Sequence, residues 1–211
     1  MSHPNIVSYF GSEIIDKQFF IYLEYVPGGS LKNLIYKLGN LNEKLLKIYI
    51  YQIVKGISYL HSKRIVHRDI KCANILISQD GVVKLSDFGV SSCLSISSDS
   101  LSESNLLKSL KGTVPWMAPE VINQNYYGKK ADIWSLGCTI IEMISGDNPW
   151  NNLKEDNYIQ ALLRIGSGND IPLFPNNINV DLANLLKLCL ERDVSKRIKI
   201  NEVAKSIYFN S

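Results

Sequence analysis

The sequence predicts an α+β fold in which the helical part dominates. Three observations carry this. A few short apolar strands come first and helical segments then follow one another, with no βαβ alternation. One long stretch, Leu45 to Leu60, repeats its apolar residues at helical spacing. A second, Ala131 to Ile144, is apolar nearly all round, which marks a helix buried on most sides.

In order along the chain, Pro4 argues against an opening helix, and Ile6 to Phe10 reads as a short strand. Gly11 to Lys17 is turn-like, and Phe19 to Tyr25 forms an apolar, aromatic strand that Pro27-Gly28-Gly29 breaks. Ser30 can cap a short helix over Leu31 to Leu38 that stops at Gly39. Asn42 is the N-cap of the next helix, whose stripe is Leu45, Ile48, Tyr49, Gln52, Ile53, Gly56, Ile57 and Leu60. Gln52 is the one polar side chain in that stripe, and core packing is its reading.

Ile65-Val66 leads into a loop at His67 to Asn74. Ile75 to Ile77 and Val82 to Leu85 then flank Gln79-Asp80-Gly81, a hairpin with an Asp-Gly turn. Val90 to Lys111 is serine-rich and free of aromatics, so an exposed, mobile loop is expected there. Gly146 ends the apolar helix. Three further helical segments are expected near Asp156–Ile165, Val180–Leu190 and Asn201–Tyr208.

Composition excludes several functions. The 211 residues are 45% hydrophobic and 20% charged, which suits one globular domain with a real core. Lys and Arg number 23 against 20 acids, and a scattered net +3 gives no footprint for nucleic acid or an anionic membrane. Cys72, Cys93, Cys138 and Cys189 stand far apart, without metal-ligand spacing, so reduced intracellular thiols and a cytoplasmic location are expected. Three dispersed histidines make no zinc site. No apolar run reaches the roughly 18–20 residues a membrane span needs.

The chemistry gathers in three motifs that occur once each, in order. They are His67-Arg68-Asp69-Ile70-Lys71-Cys72-Ala73-Asn74, Asp87-Phe88-Gly89, and Gly112-Thr113-Val114-Pro115-Trp116-Met117-Ala118-Pro119-Glu120. Taken singly, Asp69 would be a solvated turn residue, Asn74 an ordinary cap and His67 a packed histidine. Together they match the H-R-D…N, D-F-G and A-P-E set. With them the chain resembles the eukaryotic protein kinase family, over essentially all of its length. Ile70 stands where that set has Leu.

The resemblance implies a protein kinase-like fold and phosphoryl transfer from ATP with Mg. That chemistry rests on positioning and charge neutralisation. It implies that Asp69 accepts the substrate hydroxyl proton and that Lys71 sits against the γ-phosphate. Asn74 and Asp87 would hold magnesium, and Thr113 would bridge Asp69 and Lys71. Lys71 two residues after Asp69 is the pattern of Ser/Thr rather than Tyr specificity. Leu23 falls at the gatekeeper position and Glu24-Tyr25-Val26 at the hinge, where Glu24 and Val26 would bind adenine through backbone groups. Ser30 would contact ribose, and Leu76 completes the nucleotide contacts. His67 and Phe88 would stack in an apolar column with Ile6. Asp132 would anchor the backbone at His67-Arg68-Asp69, and Glu120 with Arg197 would form a buried ion pair.

Arg68 beside Asp69 implies a loop held by a phosphate, with Ser109 and Thr113 the candidate acceptors ahead of several upstream serines, through an upstream kinase or autophosphorylation. Tyr25 to Leu31, Leu110 to Ile122, Lys130 to Cys138 and Ala161 to Gly166 look like MAP kinase kinase kinases, so the protein substrate would be a MAP kinase kinase. No G-x-G-x-x-G loop and no V-A-I-K lysine precede Ile6. Residues 1–26 are therefore expected to be a remnant of the N-terminal lobe and hinge, and 27–211 the C-terminal lobe, of a partial kinase domain. The two functional readings are an active Ser/Thr kinase of a MAP kinase cascade and an impaired kinase-like fragment serving as a binding or scaffold module.

Overall fold

The computed structural model describes residues 2–39, 41–87, 92–93, 114–123, 127–150 and 158–210. Strand β1 (Tyr9–Ile15) pairs antiparallel with β2 (Gln18–Leu23). The expected strand at Ile6–Phe10 and turn at Gly11–Lys17 are both displaced. Asp16 and Lys17 alone make the turn, with φ of 50° and 65°, the left-handed pair that a two-residue hairpin needs. Gly11 instead lies within β1, directly after a register shift that begins at Tyr9. The ribbon packs on neither face: Phe10, Ile14 and Phe19 are 71%, 72% and 65% exposed.

Ile6 is buried and bridges in parallel to Leu85. The flanking bonds are Val7 N–H to Leu85 O at 2.9 Å and Leu85 N–H to Asn5 O at 3.0 Å. The start of the chain is thus stitched to the strand that leads into Asp87.

Helix α1 (Leu31–Leu38) is capped as expected. Ser30 Oγ accepts from Asn33 N–H at 3.2 Å, and Gly39 at φ 75° donates to Ile35 O. Helix α2 (Glu43–Ser62) starts on Asn42, whose Oδ1 accepts from Leu45 N–H at 2.9 Å. Its buried set includes Tyr49, Ile53, Gly56, Ile57 and Leu60 from the expected stripe, and also Leu46, Ile50, Val54 and His61. Ile48 is 44% exposed, because the buried arc is centred one residue further round and is wider than a single stripe. At Gly56 a Cβ would lie 2.9 Å from both Asn5 O and Leu85 Cδ1, so the glycine lets the opening segment lie directly on the helix.

Strand β3 (Ile65–Val66) pairs with β6 (Ser92–Cys93), and β4 (Ile75–Ile77) with β5 (Val83–Leu85). The β4–β5 turn is the expected one, with Gly81 at φ 75°. Of the serine-rich segment only 92–93 lies within the described residues, and there it is strand rather than loop. The short helix α3 (Pro119–Ile122) precedes α4 (Lys129–Ser145), and α5 (Tyr158–Ser167), α6 (Val180–Cys189) and α7 (Ile200–Val203) follow. The helix expected over Asn201–Tyr208 is broken. Ser206 Oγ accepts from Tyr208 N–H and starts a separate 3-10 turn at Ile207–Phe209, a serine competing with helical bonding.

Helix α4 forms the centre of the core. Every residue from Ala131 to Met143 is buried, as the all-round apolar pattern predicts. Cys72, Cys138 and Cys189 are buried free thiols. Burial pushes each thiol up, so they act as small apolar side chains.

Candidate active site

Asp69 lies on the loop between β3 and a 3-10 turn at Cys72–Asn74. Its Oδ2 takes two donors, Asn74 Nδ2 at 2.6 Å and Lys71 Nζ at 2.9 Å. Asn74 Nδ2 also donates to the Asp69 carbonyl at 2.9 Å. The other oxygen, Oδ1, is buried and makes no hydrogen bond among the described residues. One side of the carboxylate is therefore clamped by an amide and a cation, and the other remains an open acceptor.

Asn74 spends its amide hydrogens on Asp69, which leaves its Oδ1 as an oxygen donor for a hard cation. Its carbonyl accepts from both Ser86 N–H and Ser86 Oγ at 2.9 Å, so Asp87 follows directly on the Asn74 contact. Asp87 is exposed and held at φ 60°. Among the described residues no three His, Cys, Asp or Glu side chains are grouped to hold a metal by themselves. An Asn–Asp pair completed by phosphate and water oxygens is the set that suits magnesium.

The loop is held from below by Asp132, in the first turn of α4. Its Oδ2 accepts from His67 N–H at 3.0 Å, and its Oδ1 from Arg68 N–H at 2.9 Å. His61 Nε2 adds a bond to Oδ2 at 2.7 Å. His67 Nε2 donates to Ser86 O at 3.0 Å while Nδ1 accepts from Asp69 N–H at 3.3 Å. Both bonds fit one neutral tautomer, and burial lowers the His67 pKa in the same sense. His67 is therefore a packed strut.

Arg68 has φ 74°, a strained backbone for a residue with a side chain. Besides Asp132 on its N–H, Tyr127 Oη donates to its carbonyl at 2.6 Å, and the Tyr127 ring carries its guanidinium at 4.8 Å. Burial pushes the Tyr127 hydroxyl up, which keeps it a donor. Arg68 Nε is buried without a hydrogen bond among the described residues.

The segment after Thr113 is anchored at three points. Trp150 Nε1 donates to Pro115 O at 3.0 Å, Ser135 Oγ to Trp116 O at 2.8 Å, and Trp116 Nε1 to Glu142 Oε2 at 2.9 Å. Glu142 also accepts from Cys72 N–H at 3.0 Å, which links this segment to the Asp69 loop. Burial raises the Glu142 pKa above the ordinary 4.5, while the Cys72 and Trp116 donors pull it down less strongly. A raised pKa gives a contribution to stability that is full below pH 4.5 and is lost as pH rises through the folded-state value. Glu142→Gln should therefore lose less stability between acidic pH and about pH 7 than the parent in urea titrations. An unchanged pH slope would refute this.

Glu120 and Arg197 form the expected pair, at 2.6 and 2.9 Å through both guanidinium nitrogens, with Arg197 fully buried. Arg197 also donates to Glu191 O at 2.7 Å and Lys130 O at 2.8 Å.

At the hinge, Leu23 ends β2 and is exposed, whereas Val26 is buried. The Glu24 carboxylate pairs with Lys84 at 2.8 Å and accepts from Ser8 N–H at 3.0 Å. Ser30 bridges to Leu76 through the backbone, and Ile77 N–H donates to Gly29 O at 2.9 Å, so the hinge exit lies against β4. Gly28 permits this approach, since a Cβ there would meet Ile77 O at 2.2 Å. Asp69, Lys71, Asn74 and Asp87 are thus gathered around the β3–β5 region, with Ser30 and Leu76 side by side on the hinge side. Thr113, Phe88 and Ser109 lie outside the described residues.

Motif reading missed several supports. Gln52 Oε1 accepts from Val83 N–H at 2.8 Å and from Asn5 Nδ2 at 3.1 Å, tying α2 to β5. Its signal was a polar residue on a buried stripe. Tyr127, His61 and Glu142 gave no comparable signal, because their partners lie 59 to 71 residues away in sequence.

Protein kinase domain is the family whose model matches, over residues 1–209. The chain belongs to the protein kinase domain family. This kinase domain is 43% identical over 205 residues to Mitogen-activated protein kinase kinase kinase A of Dictyostelium discoideum, covering 97% of the chain and 21% of that protein. It is 42% identical over 198 residues to Mitogen-activated protein kinase kinase kinase 3 of Arabidopsis thaliana, covering 93% and 31%. It is 41% identical over 208 residues to Serine/threonine-protein kinase BCK1/SLK1/SSP31 of Saccharomyces cerevisiae, covering 96% and 14%. The kinase domain thus spans 14–31% of the length of these curated relatives. Its fold is the kinase-like α+β arrangement, and no helix among the described residues is long and apolar enough to cross a membrane.

Proposed function

We propose that this domain is a serine/threonine protein kinase acting in a MAP kinase cascade, with a MAP kinase kinase as its protein substrate. The observation that carries the reading is the Asp69 carboxylate, clamped on Oδ2 by Lys71 and Asn74 and open on its buried Oδ1. That open oxygen is where a Ser or Thr hydroxyl would deliver its proton. Lys71 would reach the γ-phosphate from beside Asp69, with Thr113 completing the bridge. Asn74 and Asp87 would hold magnesium, which when bound neutralises phosphate charge. Leu23, Glu24, Val26, Ser30 and Leu76 would line the nucleotide site. The name of the Saccharomyces cerevisiae relative and the Lys71 spacing both support the Ser/Thr choice.

In this reading residues 1–26 contribute strands and hinge of a smaller lobe, and 27–211 the helical lobe. Arg68, whose buried Nε makes no hydrogen bond among the described residues, would receive a phosphate on the segment that carries Ser109 and Thr113, added by an upstream kinase or by autophosphorylation. The location would be cytoplasmic. The intact Asp69–Lys71–Asn74 cluster favours turnover over a scaffold role.

The test is transfer of labelled phosphate from ATP and magnesium to an inactive MAP kinase kinase by the full-length protein. Label on phosphoserine and phosphothreonine is expected. Label chiefly on phosphotyrosine, or none, would overturn the reading.

A further inference from the structure

A cavity of about 390 Å³ lies between the C-terminal end of α2, the first turn of α4 and the start of α7. Its floor is the buried residues His61, Ile133 and Ile200. Around that floor stand four cations, Arg64, Lys129, Lys130 and Lys199, and among the described residues no Asp or Glu lines it. Apart from His61, whose ring bonds Asp132, none of these side chains belongs to the site described above.

The cations are not there for internal pairing. Lys130 is engaged, donating to Val194 O at 2.6 Å and Ser195 O at 2.9 Å. Arg64, Lys129 and Lys199 form no ion pair among the described residues. Like charges around one concavity repel unless a counter-charge joins them.

Two backbone features point the same way. Lys129 and Lys130 occupy the first turn of a 17-residue helix, the end whose dipole disfavours cations and favours anions. The N-cap there is Gly128, which has no side chain to cap the first-turn amides. Arg64 is held at φ 61°, a left-handed conformation that turns the chain from α2 toward β3 at the cavity rim. At the same rim Asn201 Oδ1 accepts from Ser58 Oγ at 3.5 Å, which leaves the Asn201 amide hydrogens as donors.

We propose that this cavity binds a compact, multiply charged phosphate anion. The volume sits at the lower end of the roughly 300–1,000 Å³ of small-ligand sites, and so suits a small polyphosphate rather than an extended chain. Its floor residue His61 is hydrogen-bonded to Asp132, so the occupant is joined to the Asp69 loop through two side chains.

The test uses tripolyphosphate, without nucleotide or magnesium, at matched ionic strength. Saturable binding is expected in calorimetry, with amide shifts in NMR at Ser62, Lys129, Lys130 and Asn201. Arg64→Ala and Lys129→Ala should each weaken binding roughly tenfold, whereas the exposed Lys37→Ala should not. Neither cavity variant should melt below the parent in anion-free buffer, because each removes repulsion. Binding indifferent to Arg64 and Lys129 would overturn the proposal. So would shifts confined to residues 69–87, an absence of saturable binding, or capture of an acidic phosphopeptide but not of tripolyphosphate.

Discussion

Asp69→Asn should lower kcat by about 10²–10⁴, the usual worth of a positioned general base, with little change in KM for ATP and an unshifted melting curve. The substitution is nearly isosteric. The amide oxygen keeps the Lys71 and Asn74 contacts on the Oδ2 side. The amide nitrogen then takes the Oδ1 position, so the one open acceptor becomes a donor. A hydroxyl there meets a group that cannot take its proton. Steady-state kinetics on the full-length protein measure the effect, and an undiminished kcat would remove Asp69 from the role.

The second large effect is on stability. Arg197→Ala should destabilise the domain by about 3–5 kcal/mol, because it leaves the Glu120 carboxylate buried without its partner. It also strips donors from the Glu191 and Lys130 carbonyls. Urea unfolding gives the number, and a double-mutant cycle separates its parts. Glu120→Gln with Arg197→Met should recover most of the loss, since it removes the stranded charge as well. A loss for Arg197→Ala below about 1 kcal/mol would mean that water already reaches the pair.

The loop that carries Asp69 was legible in the sequence because its motif is local. Asp69, Lys71 and Asn74 fall within six residues, and the fold brings Lys71 and Asn74 onto the Asp69 carboxylate. The caps at Ser30, Asn42 and Gly39 and the turn at Gly81 were legible for the same reason, since each acts on backbone three or four residues away. The opening hairpin differs from the local reading because Gly11 continues a strand, and only pairing with β2 places the turn at Asp16-Lys17. The helix expected at Asn201–Tyr208 failed where Ser206 could bond the backbone either way. What stayed hidden was the scaffolding of the site. Tyr127 on Arg68 and Glu142 on Trp116 and Cys72 depend on tertiary approach that no window of sequence contains.

Asp132 has a consequence for how the domain breathes. The amides of His67 and Arg68 belong to a loop, and loops ordinarily exchange their hydrogens through small, frequent openings. Here both amides end on a carboxylate rooted in the buried first turn of α4, and the same carboxylate is shared with His61 on α2. Releasing either hydrogen to solvent means separating the two central helices. The His67 and Arg68 amides should therefore be among the slowest of the chain to exchange, opening with the core rather than ahead of it.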